Sequence, residues 1–179
     1  MSKYYTMIGS RDTPEDIQDL MVFAAYKLAL SGWIGRSGGA GGADKCLEVG
    51  CKDYPHMMEV FLPWNGFNKC YANNTGYIDT PKLSAYKLAQ ELAEELHPNW
   101  AACSRGAKGL HTRNCMQILG KDMNTPSKFV LCWGIPTDDK GNVKGGTGQA
   151  CRLAIREGVE ILNLYHEDVQ QRIKKWLEV

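Results

Sequence analysis

The stretch YYTMIGSRDTPEDIQDL, Tyr4 to Leu20, runs from a short β-prone segment through a glycine turn into a helix. Tyr4 to Ile8 reads as a strand, Gly9 opens the turn, Thr13 is placed to cap, and Pro14 takes the first helical position, where its missing N–H costs nothing. From Glu15 to Ser31 the residues Ile17, Leu20, Met21, Ala24, Ala25, Leu28 and Leu30 recur at mostly helical spacing, and Gly32 ends the run. The strand, loop, helix order then returns. WIG is a brief strand before the loop RSGGAGGAD, after which Asp44 can cap a helix to about Gly50, and MMEVFLPW (Met57 to Trp64) reads as a strand. KFVLCW (Lys128 to Trp133) is a buried strand, followed by the loop GIPTDDKGNVKGGTG, a helix from about Gln149 to Glu157, the strand VEILNL and an amphipathic terminal helix. Between these halves lie an irregular, turn-rich insertion around 65–80, a helix opened by Pro81 and running to about Leu96, and a helical stretch from Arg113 to Leu119. Strands that alternate with helices predict an α/β fold: one domain over 1–179, with a mainly parallel sheet and helices on both faces, because parallel neighbours need crossover connections.

Composition bounds the function. The chain has 179 residues, 44% of them apolar and 23% charged, enough for one buried core. Its 21 basic and 20 acidic side chains nearly cancel, and aromatic residues are not interleaved with basic ones along the chain, so nucleic acid is not an expected partner. The seven cysteines form no CxxC pair and have no suitably spaced histidine, which fits free thiols in a reducing cytoplasm and predicts neither a metal nor a cofactor. His97 and His111 read as structural. No apolar run has the length of a membrane span or the form of a signal peptide, so a membrane partner is not expected.

In an open parallel sheet, ligands sit outside the carboxyl ends of the strands where strand order reverses. Three loops occupy such positions: GSRDTP, RSGGAGGAD and KGGTGQA. Glycine lets a ligand approach the backbone, and the free amides of the following helix favour an anion, so the loops predict a phosphate cradle. The candidate ligand-binding residues are Gly9, Ser10 and Arg11 in the first loop, Arg36, Ser37, Gly38, Gly39, Gly41 and Asp44 in the second, and Gly145, Gly146, Thr147, Gly148 and Gln149 in the third. Neither glycine loop satisfies GxGxxG or GxxxxGK[ST], which disfavours standard dinucleotide and P-loop sites. Arg113, Asn114 and Gln117 share one helical face and join the candidates, while Trp64 and Trp133 end two strands, where an indole either packs in the core or stacks on a base.

The ordered set GSRDTP, SGGAGGAD with Glu48 after it, Arg113–Asn114 and GGTGQACRLA resembles the SLOG superfamily from Ile8 to about Leu164, especially small phage or bacterial members related to DNA-processing protein A and the YspA-type proteins. The resemblance implies a Rossmann-like sheet, a nucleotide or nucleotide-derived ligand, and a homo-oligomer, for which the helices at 81–96 and 99–120 offer surfaces. LOG-type relatives cleave N-glycosidic bonds with the Glu of a PGGxGTxxE motif; here Lys144 stands before Gly145 and Arg152 stands in place of the acid. Only Asp44 or Glu48 is left to serve as acid or base. The expected function is therefore a nucleotide sensor or sequestering protein. A LOG-like nucleotide hydrolase is the alternative, and a single-stranded DNA-binding recombination accessory is a further one.

Overall fold

The computed structural model describes residues 3–179. Strand β1 (Tyr4–Gly9) starts at the centre of the sheet and is followed by helix α1 (Glu15–Leu30), strand β2 (Ile34–Ser37), helix α2 (Ala43–Gly50), strand β3 (Met58–Leu62) and a short strand β4 (Tyr77–Asp79) at one edge. Helices α3 (Tyr86–Leu96) and α4 (Arg105–Leu119) carry the chain back across the sheet to β5 (Phe129–Trp133), which is followed by α5 (Thr147–Arg156), β6 (Glu160–Asn163) and α6 (Glu167–Leu177). The strand order is β4-β3-β2-β1-β5-β6, and every pairing is parallel. The expected α/β, Rossmann-like fold is what the chain adopts.

Alternation along β1 builds the two cores. Tyr5 and Met7 point to the face covered by α1, α2 and α6, while Ile8 joins Val130 and Cys132 of β5 under α3, α4 and α5. Thr6, on the second face, is fully buried; its hydroxyl donates to the Gln117 carbonyl at 2.5 Å and pairs with the Ser127 hydroxyl at 2.8 Å, which pins α4 over the central strand. No helix among the described residues is long and apolar enough to cross a membrane.

Several elements differ from the sequence reading: Pro14 rather than Thr13 precedes α1, and Gly42 rather than Asp44 precedes α2, neither with a side-chain cap. Helix α4 begins at Arg105, well ahead of Arg113, because the Ser104 side chain accepts the Ala107 amide at 3.1 Å and outweighs the two helix-weakening glycines that follow. Pro81 opens only a 3₁₀ turn, and α3 starts at Tyr86. Within the turn-rich insertion, β4 is too short to announce itself in sequence, yet it extends the sheet beside β3 with Val60 opposite Tyr77.

Candidate functional site

The direction of strand addition reverses between β1 and β5, and a cleft of about 470 Å³ opens there at their carboxyl ends. Gly9, Ser10 and Arg11 form one wall, Lys144, Gly145, Gly146 and Thr147 form another, and α4 supplies the floor through Arg113, Asn114 and Gln117. Asp44 reaches the same cleft from α2. Chain segments far apart in sequence thus converge as the candidate set requires.

The two glycine loops do different work. In the first, the glycines are occupied by the protein itself. A side chain at Gly38 would meet the Arg113 guanidinium, with Cζ 2.6 Å away, and the Gln117 amide oxygen at 2.7 Å. At Gly42, which holds a positive φ of 71°, it would meet the Ser10 carbonyl at 2.5 Å and the Arg11 Cα at 2.6 Å. Gly39 faces Leu62 and Val60, so of the candidates in this loop Gly41 alone has open space above it. The loop also contains its own anion. The Asp44 carboxylate accepts the Gly38 amide at 3.1 Å and draws on the amides of Ala40 and Gly9. It occupies the position in which a phosphate was expected. Burial lifts the Asp44 carboxyl above the usual carboxylate range, against the pull of Arg113 and these amides. Burial likewise brings the Arg113 guanidinium down to about 10; Asp44 opposes that shift and Arg11 adds to it.

Several expected ligands prove to be internal braces. Arg36 turns away from the cleft: its Nε meets Glu59 at 3.3 Å, Nη1 donates to the Thr125 carbonyl at 2.6 Å and the Ser127 hydroxyl at 3.1 Å, and the guanidinium lies 4.0 Å over the Tyr4 ring. Ser37 is fully buried beside it in β2. Glu48 faces the insertion, where it accepts from Lys45 at 3.0 Å and from the Tyr77 hydroxyl at 2.6 Å, so one of the two candidate catalytic acids is absent from the cleft. Gln149 bonds His111 on α4 and stays buried beneath the cleft, and a side chain at Gly148 would strike the Val143 carbonyl at 2.7 Å. Trp133 packs on Tyr165 with ring centres 5.9 Å apart.

The second glycine loop is open. Nothing lies within 4 Å of where side chains at Gly145 and Gly146 would project. Gly146 caps α5 without any side-chain hydrogen bond, and the first-turn amides of a helix lack intrahelical acceptors, so this helix end faces the cleft electropositive. The cleft floor provides an independent sign of a missing partner. Gln117 is 2% exposed, and its amide oxygen has no hydrogen-bond partner among the described residues. A buried acceptor left alone costs about 1–3 kcal/mol, which a bound donor would recover. At the rim, Arg11 and Lys144 are exposed and make no ion pair among the described residues.

Arg11 also lines a neighbouring groove of about 520 Å³, which it shares with Gly41, Gly42, Trp64, Phe67 and Asn68. Trp64 is 43% exposed and stands edge-on to Phe67, with ring centres 5.2 Å apart. An aromatic face and the open glycine-loop cleft therefore meet at one guanidinium that has no ion pair among the described residues. The sequence conceals this arrangement, because more than fifty residues separate Arg11 from Trp64 and only the β1 and β3 loops bring them together.

No family model and no curated protein matches the chain. Among solved structures it is similar to DNA processing protein A from Helicobacter pylori, described for its single-stranded DNA binding mode: TM-score 0.57, 18% identity, covering 98% of this chain and 79% of that one. DNA processing protein A from Streptococcus pneumoniae matches at a TM-score of 0.39 and 14% identity, covering 90% of this chain and 58% of that one. At 18% identity the likeness to the Helicobacter protein is one of fold. It is enough to correct the sequence expectation against a nucleic-acid partner: a protein of this fold is described as binding single-stranded DNA, so a near-zero net charge does not argue against one. What matters is where the few uncompensated charges lie.

Proposed function

We propose that this chain binds single-stranded DNA, seating a backbone phosphate at the start of α5 and a neighbouring base against Trp64. The observation that carries the reading is Arg11, exposed and unpaired among the described residues, which borders both the open glycine-loop cleft and the aromatic groove. Single strands are held by this combination of cationic backbone contacts and sequence-tolerant stacking on aromatic faces. Gly145 and Gly146 leave room for a phosphate beside the α5 amides, and Lys144 and Arg11 supply charge from two sides. Asp44 is engaged by backbone amides, and no other acid among the described residues lines the cleft, which weighs against the hydrolase.

A free nucleotide is the second reading, favoured by the orphaned Gln117 oxygen on the cleft floor, an acceptor suited to an amino group of a base. Fluorescence anisotropy with a labelled thymidine oligonucleotide, competed by nucleoside monophosphates, separates the two. Single-strand binding predicts saturable affinity for the oligonucleotide, weak competition by monophosphates, and a loss in Trp64→Ala equivalent to about 1–3 kcal/mol per stacked base. Absence of oligonucleotide binding at low salt, or an unchanged affinity in Trp64→Ala, refutes it; tight monophosphate binding without oligonucleotide binding establishes the second reading.

A further inference from the structure

The sequence predicts no metal, because the cysteines form no CxxC pair and have no suitably spaced histidine, and His97 and His111 read as structural. The fold nevertheless gathers them. His97 follows α3, Cys103 follows a 3₁₀ turn over Trp100–Ala102, and His111 projects from α4, so that one ligand atom from each lies within 4.8 Å of the others. The Cys103 sulfur stands 3.6 Å from His97 Nε2 and 3.8 Å from Nδ1, and the two imidazole rings are 4.6 Å apart. A tetrahedral zinc ion with bonds of about 2.3 Å to sulfur and about 2.0 Å to nitrogen separates those atoms by roughly 3.5 Å. The Cys103–His97 pair already has that spacing, and a ligand atom of His111 lies within 4.8 Å of both.

We propose that His97, Cys103 and His111 form a zinc-binding site with three protein ligands and one open position. The surroundings of His111 supply the second observation. Its Nδ1 is hydrogen-bonded to the Gln149 side-chain oxygen, and Gln149 is held in that orientation because its amide nitrogen donates to the His111 carbonyl at 3.1 Å. A histidine that donates Nδ1–H to an amide oxygen keeps the lone pair on Nε2 for a metal, the outer arrangement that orients metal-bound imidazoles. This gives the buried Gln149 a purpose that phosphate binding does not. Cys103 fits as the thiolate: six of the seven cysteines are buried, and it alone is partly exposed. His97 Nδ1 accepts the exposed Asn99 amide at 3.0 Å; on metal binding that amide passes to water, the imidazole uses one nitrogen for zinc and keeps its proton on the other, and the Cys103 thiol releases its proton to solvent. Three nitrogen and sulfur ligands with a free fourth position suit zinc that also binds water or an anionic oxygen, and His111 lines the cleft, so the open position belongs beside it.

The test uses the full chain stripped with chelator and titrated with Co²⁺, a spectroscopic stand-in for zinc. Saturation at one equivalent is expected, with a thiolate-to-cobalt charge-transfer band and the intense visible bands of a tetrahedral site, all displaced by Zn²⁺. Cys103→Ser removes the charge-transfer band, and His97→Ala weakens binding at least about tenfold, with unchanged circular dichroism. In the unmutated protein, Zn²⁺ slows alkylation of Cys103, read by peptide mass mapping, at least about tenfold. Failure to saturate, a charge-transfer band that survives in Cys103→Ser, or alkylation of Cys103 indifferent to Zn²⁺ overturns the site, and the alkylation arm stands even if a variant does not fold.

Discussion

Replacing Gly38 by alanine tests whether the first glycine loop exists for a ligand or for the protein's own packing. Gly38 does not hold a positive φ, so the backbone itself tolerates alanine, and the reduced entropy of the unfolded chain would on its own stabilise the variant by about 0.4–1 kcal/mol. The new Cβ, however, falls 2.6 Å from Arg113 Cζ and 2.7 Å from Gln117 Oε1. The guanidinium has nowhere free to go, because Nη1 donates to the carbonyls of Gly38 and, at 3.3 Å, Phe61, while Nε donates to Asn114 Oδ1 at 2.8 Å. Overpacking costs about 1–3 kcal/mol. Loosening a buried hydrogen bond to a charged group costs about 1.5–3 kcal/mol. After the entropic gain, a net loss of about 1.5–5.5 kcal/mol is expected, which for a chain of this size lowers Tm by roughly 3–20 °C. Urea unfolding followed by circular dichroism measures it directly. A Gly38→Ala protein within about 0.5 kcal/mol of the unmutated chain refutes the assignment of this loop to internal packing.

The second loop should behave in the opposite way. Gly146→Ala, with helical φ and ψ and open space around the new methyl, is expected to leave stability unchanged or raise it by up to about 1 kcal/mol while weakening oligonucleotide binding severalfold, checked by thermal melts and anisotropy on one preparation. Arg36→Ala removes a buried cation from Glu59, Thr125 and Ser127 and is expected to destabilise by about 3–5 kcal/mol in urea melts, with no specific effect on ligand affinity if the protein folds. The pH dependence of Asp44 is best read as a difference between the unmutated chain and Asp44→Asn. Because the folded carboxyl titrates above its unfolded value of 3.8, its contribution to stability is present below that pH and is lost as pH rises through the folded value. The stability of the unmutated chain relative to Asp44→Asn should therefore fall as pH climbs out of the acid range, and a rising difference in paired urea melts contradicts the direction of the shift.

Most of the fold was legible because its signals are local. Strand, glycine turn and helix recur in order, and that alternation alone requires a parallel sheet with its crevice at the strand ends. The site was legible in part. Arg11, Asp44, Arg113, Asn114 and the loop at 145–147 meet as the topology demands, but glycine content could not show what presses on each glycine. Gly38 is bare for Arg113 and Gly42 for the Ser10 backbone, whereas Gly145 and Gly146 are bare toward the cleft. Arg36 misled because strand alternation sends it away from the crevice despite its place at the loop's start, and Glu48 because, although it shares a face of α2 with Asp44, it stands one turn further from the crevice, level with Tyr77 of the insertion. The pairing of Trp64 with Arg11 was concealed because more than fifty residues separate them, and the cluster of His97, Cys103 and His111 because its members, close in sequence, fit no familiar ligand spacing and meet only where the turn between α3 and α4 folds back.

The most direct measurement is the salt dependence of oligonucleotide affinity in the unmutated chain and in Arg11→Gln. Each phosphate neutralised by a cationic contact releases condensed counterion and contributes about 0.7 to the slope of log affinity against log salt for a single strand. If Arg11 joins the cleft to the aromatic groove by gripping the backbone, the unmutated chain shows a clear negative slope, and the variant binds more weakly with a slope shallower by about 0.7. Equal slopes, or an affinity that does not respond to salt at all, would contradict the account.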